Sequence, residues 1–288
     1  MISSSELIIN PDGSCFHLHL RPEQLADKVV LCGDPARVDT IASFFETREC
    51  EISAREFHTI TGTYKGKRIT ALSHGIGPDN IDIVLTELDA LKNIDFTTRE
   101  LKPEHHTLEL VRIGTCGGLQ PDVPCGTFIL SRRSVGFDGV LDWYEGRDAV
   151  SDLDFEQALV DFVHYPAKAA APYVVDADQE LAARIAGDEG FVSGVTISAV
   201  GFYGPQGRSI RLAPAVPDIN QRITSFSYKG QRIMNYEMES APLAGLSRLL
   251  GHKAVTVCLV AANRVAGESH PTYRGDMPDL IRLVLDRI

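Results

Sequence analysis

The chain has 288 residues, 44% of them hydrophobic and 23% charged, with a formal net charge of -11. That length can bury a substantial core, and so acidic a chain lacks the basic faces that nucleic acid or an anionic membrane requires. A small anion held by a few focused arginines stays compatible with it. The six cysteines are dispersed and form no CxxC pair, which predicts reduced thiols and neither a disulfide frame nor a zinc ribbon. The start, MISSSELIIN, has no basic or long apolar stretch, and no run approaches membrane-spanning length, so a soluble cytoplasmic protein is expected.

No repeat or linker divides the chain, and a single domain over residues 1–288 is expected. Lys28–Cys32 reads as a strand ending in a tight turn, and ARVDTIASFFE as a helix with Asp34 at its N-cap and Pro35 in its first turn. FHTITGTYKGKRITALSHG reads as two strands joined around Lys65-Gly66-Lys67. Ile81, Val84, Leu85, Leu88 and Leu91 fall at helical spacing over residues 79–91. LELVRIGTCGG is expected to be a strand running into a glycine loop, and GTFILSRRSV a further strand. DQELAARIAG (helix), SGVTISAV (strand), QRIMNYE (strand), APLAGLSRLLG (helix), KAVTVCLVAA (strand) and a closing helix near MPDLIRLVLDRI follow. Alternating elements with continuously apolar strands predict an α/β fold, a three-layer sandwich around a central mixed sheet. Ligands in such folds gather at the carboxyl ends of the strands.

Several strand ends carry chemistry. In GDPARV, a glycine turn and a helix start stand beside Arg37; read alone, Arg37 is a solvated first-turn residue. In RIGTCGG, Arg112 and the hydroxyl of Thr115 flank a glycine loop that lacks the Walker and dinucleotide fingerprints. Arg55 opens the strand of SAREFHT; on its own it reads as half of an edge ion pair with Glu56. Together, three arginines can converge on an oxyanion. GFYGPQGR puts an aromatic face (Phe202, Tyr203), the amide of Gln206 and the guanidinium of Arg208 in one loop. In MNYEMES, Glu239 is an acceptor for a pair of hydroxyls, while Glu237 suits the first turn of the next helix. His17 and His19 alternate in FHLHL as if on one strand face, but no ligand cluster accompanies them, so no metal is expected. His105 and His106 receive no role.

With these pieces assembled, the chain resembles the nucleoside phosphorylase superfamily, and within it the uridine phosphorylases. The matching stretches are FHLHL, GDPARV, REFHT, RIGTCGGL, FYGPQGR, MNYEMES and AANR, in the family's order from Phe16 to Arg264. The resemblance implies reversible phosphorolysis of uridine to uracil and ribose 1-phosphate, without a cofactor. It implies phosphate held by Gly33, Arg37, Arg112 and Thr115, with Arg55 reaching in from a neighbouring subunit of a homodimer or hexamer. It further implies ribose held by Met238, Glu239 and the neighbour's His17, and uracil by Phe202, Gln206 and Arg208. Arg112, Arg208 and Glu239 would then carry the catalysis. GIGPDN is a residue shorter than the stretch near which some relatives hold a monovalent cation, GPQGR inverts the common Pro-Gly order, and Ala261 and Ala262 replace bulkier aliphatics. Two rival readings stay open: a purine phosphorylase or nucleosidase of the same fold, and a non-catalytic nucleoside binder. Against the first, purine-cleaving relatives carry an aspartate where this chain has Asn263 and Arg264; against the second, a binder has little use for phosphate arginines.

Overall fold

The computed structural model describes all 288 residues. Its principal strands are β1 (Lys28–Cys32), β2 (Thr47–Ala54), β3 (Phe57–Tyr64), β4 (Lys67–Ser73), β5 (Glu109–Gly118), β6 (Phe128–Gly136), β7 (Tyr173–Asp176), β8 (Val192–Ser198), β9 (Gln231–Glu237) and β10 (Lys253–Asn263). The helices are α1 (Pro35–Ala42), α2 (Pro78–Asn93), α3 (Leu153–Val163), α4 (Gln179–Ala186), α5 (Ile219–Ser225), α6 (Ser240–Leu249) and α7 (Met277–Arg287). One mixed sheet runs in the order β9-β8-β6-β10-β5-β1-β4-β3-β2.

β1 shows why the sheet sits in the middle. Its residues Val29 to Cys32 are fully buried on both faces, because β1 lies parallel between β4 and β5. Val30 and Cys32 face α1, α4 and α7 through residues such as Ile41, Leu181 and Ile281. Val29 and Leu31 face α2 and α6 through Leu85, Leu88 and Leu243. Each such aliphatic contributes about 1.5–3 kcal/mol by leaving water. The α/β architecture with a central mixed sheet is therefore the expected one. A closure adds to it: β9 also pairs antiparallel with β5 at Asn235↔Gly118 and Tyr236↔Gly117, so β9, β8, β6, β10 and β5 form a ring.

Most expected elements fall within a residue or two of their positions. Asp34 caps α1 by accepting from the Ala36 N–H at 3.0 Å, although the helix stops at Ala42, before Phe44 and Phe45. Lys65 and Gly66, both at positive φ, form the two-residue turn between β3 and β4. Three expectations change. The RIGTCGG stretch does not open into a loop: β5 continues to Gly118, because β10 pairs with it along its whole length. His17 and His19 do not alternate along a strand; residues 16–18 form a turn, and His19 sits at φ +54°. Arg55 does not open β3 but occupies the turn after β2 at φ +56°. No helix is long and apolar enough to cross a membrane.

Candidate active site

At the carboxyl ends of β1, β5, β9 and β10 lies a cavity of about 600 Å³. Gly33 and Arg37 reach it from the β1–α1 turn, Arg112 and Thr115 from β5, and Phe202, Gln206 and Arg208 from the loop after β8. Met238 and Glu239 reach it from the β9–α6 junction, and Ala261 and Ala262 from β10. A register shift between Val260 and Ala262 lets these two successive alanines both face the cavity. Nine of the eleven residues expected to hold phosphate, ribose or base thus share one wall, though they come from segments far apart in the chain.

The inner end is a dense polar cluster. Glu237 is not in the first turn of α6 but is the last residue of β9; from there it accepts the backbone N–H of Glu239 at 2.8 Å and that of Ser240 at 2.9 Å, and so still serves the start of the helix. It also accepts Ser198 Oγ at 2.6 Å and Arg112 Nη1 at 2.8 Å. Glu239 accepts the Gly77 N–H at 2.8 Å through Oε1 and Arg112 Nη2 through Oε2. Gly114 makes room for this guanidinium: a Cβ there would lie 2.8 Å from Arg112 Nη1 and 3.0 Å from Cys258 Sγ. Arg112 Nε donates to His74 Nε2 at 3.2 Å. Burial opposes the charge on Arg112, but Glu239 and Glu237 outweigh it and hold the guanidinium above its ordinary pKa. Burial raises the Glu239 carboxyl; Arg112 opposes the rise and Glu237 adds to it.

Arg37 is half-buried against this cluster and donates from Nη1 to the Ile113 carbonyl at 3.1 Å. It is therefore not the solvated first-turn residue its local sequence allowed.

The loop end has a different make-up. Arg208 lies 3.6 Å above the Phe202 ring centroid and donates from Nη1 to Gln206 Oε1 at 2.7 Å. Arg264 donates to the same oxygen from Nη2 at 2.6 Å, with its guanidinium 5.2 Å from the Tyr236 ring. With Oε1 taken twice, the Gln206 amide nitrogen keeps its two donors for a ligand. Burial lowers the pKa of both arginines, and the charge of Arg208 helps push Arg264 down to about 10. Asn263 does not line the cavity. It is 1% exposed, and its amide donates to the Gln120 and Val123 carbonyls at 2.9 and 2.7 Å while its oxygen accepts from Val265 and Ala266.

His17 and Arg55 stand apart from the cavity wall. His17 Nδ1 lies 2.6 Å from Glu87 Oε1, its ring centroid is 4.8 Å from that of Phe16, and the Arg55 guanidinium lies 5.7 Å from the Phe16 ring centroid. The two form one surface patch of their own.

The Phosphorylase superfamily model matches residues 27–281 of this chain. The chain belongs to the phosphorylase superfamily. It is 31% identical over 274 residues to the uridine phosphorylase of Thermococcus kodakarensis, covering 92% of this chain and 83% of the relative. It is 29% identical to the uridine phosphorylase of Haemophilus influenzae, covering 88% of each. A DeoD-type purine nucleoside phosphorylase of Tolumonas auensis is 26% identical over 94% of this chain and 97% of its own. Among solved structures, a Trypanosoma brucei nucleoside phosphorylase described as showing uridine phosphorylase activity aligns with TM-score 0.87 and 26% identity. That alignment covers 98% of this chain and 100% of the other.

For a member of the phosphorylase superfamily, the motif reading leaves out several groups on or behind the cavity wall. The sequence gives Arg264 no place among the base-binding residues, because its contact with Gln206 depends on a loop 58 residues earlier in the chain. Gly75, Ile76, Tyr273 and Arg274 also line the cavity. Tyr273 and Arg274 lie in a polar segment, HPTYRGD, whose composition resembles any surface turn.

Proposed function

We propose that this chain catalyses the reversible phosphorolysis of uridine to uracil and ribose 1-phosphate. The observation that carries the reading is the Gln206 amide held by two guanidiniums, Arg208 and Arg264, at the end of the cavity away from the carboxylates. The two uracil carbonyls are acceptors, which suits the guanidinium donors and the free N–H groups of the Gln206 amide. No acid on the cavity wall stands where it would protonate a purine ring nitrogen; Asn263, the nearest counterpart in sequence, is fully engaged with backbone.

In this reading the nucleophile is the phosphate itself, held beside Gly33, Arg37, Thr115 and Arg112. No side chain forms a covalent bond. As the glycosidic bond stretches, the sugar becomes cationic and the base anionic. Glu239 and Glu237 put negative charge at the sugar end, and Arg208 and Arg264 put positive charge at the base end. Catalysis is then positioning plus preorganised electrostatics. Ribose is held by Met238 and Glu239, and uracil stacks on Phe202.

The deciding experiment measures kcat/KM for uridine, thymidine and inosine, with and without phosphate. Uridine should be cleaved only with phosphate and far faster than inosine, with thymidine a slower substrate. Equal rates without phosphate would make the protein a hydrolase, and inosine matching uridine would move it to the purine branch.

We further propose that His17 and Arg55 complete the cavity of a second copy, in a homodimer or a larger ring. Neither residue lines the cavity of its own chain, which supports this. Mixing His17→Ala with Glu239→Ala under subunit exchange should restore activity; proven exchange without recovery would reject it.

A further inference from the structure

We propose that His74 is a positioning residue for Arg112: its neutral ring accepts the Arg112 Nε–H and fixes the plane of the guanidinium under the cavity floor. The inference rests on the phosphorolysis reading and deepens it, because it assigns a part to a residue that none of the matched motifs includes.

His74 follows β4 and is fully buried. Its backbone N–H donates to the Cys32 carbonyl at 2.8 Å, which continues the β1–β4 pairing by one residue and sets the direction of the ring. The ring lies under Gly33, whose ideal Cβ would be 3.8 Å from Cε1. Nε2 stands 3.2 Å from Arg112 Nε. An arginine Nε has a hydrogen to give and no lone pair, so Nε2 must be the unprotonated nitrogen and Nδ1 must carry the proton. Burial, followed by the charges of Arg112 and Arg37, holds His74 well below the ordinary histidine pKa and keeps the ring neutral.

The choice of a neutral acceptor has a physical reason. Arg112 already faces two carboxylates, Glu237 and Glu239, so its single positive charge is outnumbered. A third carboxylate at Nε would add negative charge where phosphate has to bind. A neutral imidazole anchors Nε–H and adds none. Of the five guanidinium N–H groups, one goes to His74, one to Glu237, one to Cys258 Sγ at 3.8 Å and one to Glu239. The second hydrogen on Nη2 is left for an oxyanion, and its direction follows from the plane that His74 sets. His74 Nδ1 has no hydrogen-bond partner, an orphaned buried donor of the kind that functional sites retain.

The test compares His74→Phe, which keeps the ring volume without the acceptor, with His74→Gln, whose amide oxygen can take the place of Nε2. Melting temperatures and separate saturation curves for phosphate and uridine are measured for both. Losing an acceptor on a charged donor should lower kcat/KM for phosphate about 10- to 100-fold in His74→Phe, with a smaller change in uridine KM. His74→Gln should regain most of the loss. His74→Phe with wild-type phosphate kinetics would overturn the inference, and so would equal losses for both substrates in both variants. A wild-type enzyme that needs no phosphate would instead refute the phosphorolysis reading itself. If His74→Phe does not fold, ¹⁵N-histidine spectra of the wild type decide. His74, assigned by its loss in His74→Gln, should show the neutral Nδ1–H tautomer from about pH 6 to 8. An imidazolium or an Nε2–H form would overturn the proposal.

Discussion

At the inner end of the cavity one arginine faces two carboxylates, while at the loop end two arginines face one amide and no carboxylate. The inner cluster is sealed, with Arg112, Glu237 and Glu239 all under 5% exposed and tied into the start of α6. The loop end is half-open, and its guanidiniums rest on aromatic faces. The first arrangement is part of the folded core, so breaking it costs stability as well as activity. The second keeps uncompensated positive charge in reserve for a ligand, so breaking it costs activity alone. The contrast also gives the cavity a polarity that matches a bond breaking into a cationic sugar and an anionic base.

The largest effect should come from the sealed end. Glu237→Ala leaves Arg112, Ser198 Oγ and two backbone N–H groups without their acceptor, and removing one partner of a buried pair costs about 3–5 kcal/mol. Denaturant unfolding should show that loss together with inactivation. A variant of wild-type stability would mean that the inner cluster is not part of the core.

At the loop end, Arg208→Ala should lower kcat for uridine by about 10²–10³-fold, as expected for removal of a group that stabilises developing charge. Its melting temperature should hardly move. Arg264→Met should do the same more mildly. Because both guanidiniums hold Gln206 Oε1, the double variant should lose less than the sum of the two. Strict additivity would show that the two arginines act separately.

The smallest of these effects tests the boundary between the two ends. Glu239→Gln keeps an oxygen for the Gly77 N–H but loses the charge facing Arg112. Activity should fall about 10- to 100-fold, the range for hydrogen bonds to charged groups. Because glutamine keeps the side-chain shape and an acceptor oxygen, the stability change should be smaller than for Glu237→Ala. A large loss of stability would show that Glu239 supports the sealed cluster as strongly as Glu237 does.

Much of the fold can be read locally. The apolar stripe of α2 and the continuously apolar β1 appear where their periodicity and β-branching put them, since each is specified by its own residues. β2 was not expected: its residues alternate between exposed and half-buried, and its edge position gives it no apolar run. α3 and β7 lie in a stretch without a matching motif; Phe155, Leu159 and Val174 acquire a core only with β6 and β8, and Val175 only on the opposite side with α2 and α6. The glycine-rich end of β5 reads as a loop because glycine signals a turn in isolation. Here Gly117 and Gly118 are held in the sheet by β9 and β10 together.

By itself the sequence determined the kinds of chemistry available: arginines at strand ends, two glutamates before an apolar helix, an aromatic-amide-arginine loop. These depend on residue type and short spacing, which the chain carries openly. Only the tertiary structure decided how those groups divide their work. It set Glu237 to cap α6 and to hold Arg112, brought Arg264 to Gln206, turned Asn263 away, and placed His74 under a guanidinium 38 residues further along the chain. The physical reason is that a hydrogen bond depends on distances of a few tenths of an ångström between groups from different strands, and sheet register, which no local pattern encodes, sets those distances.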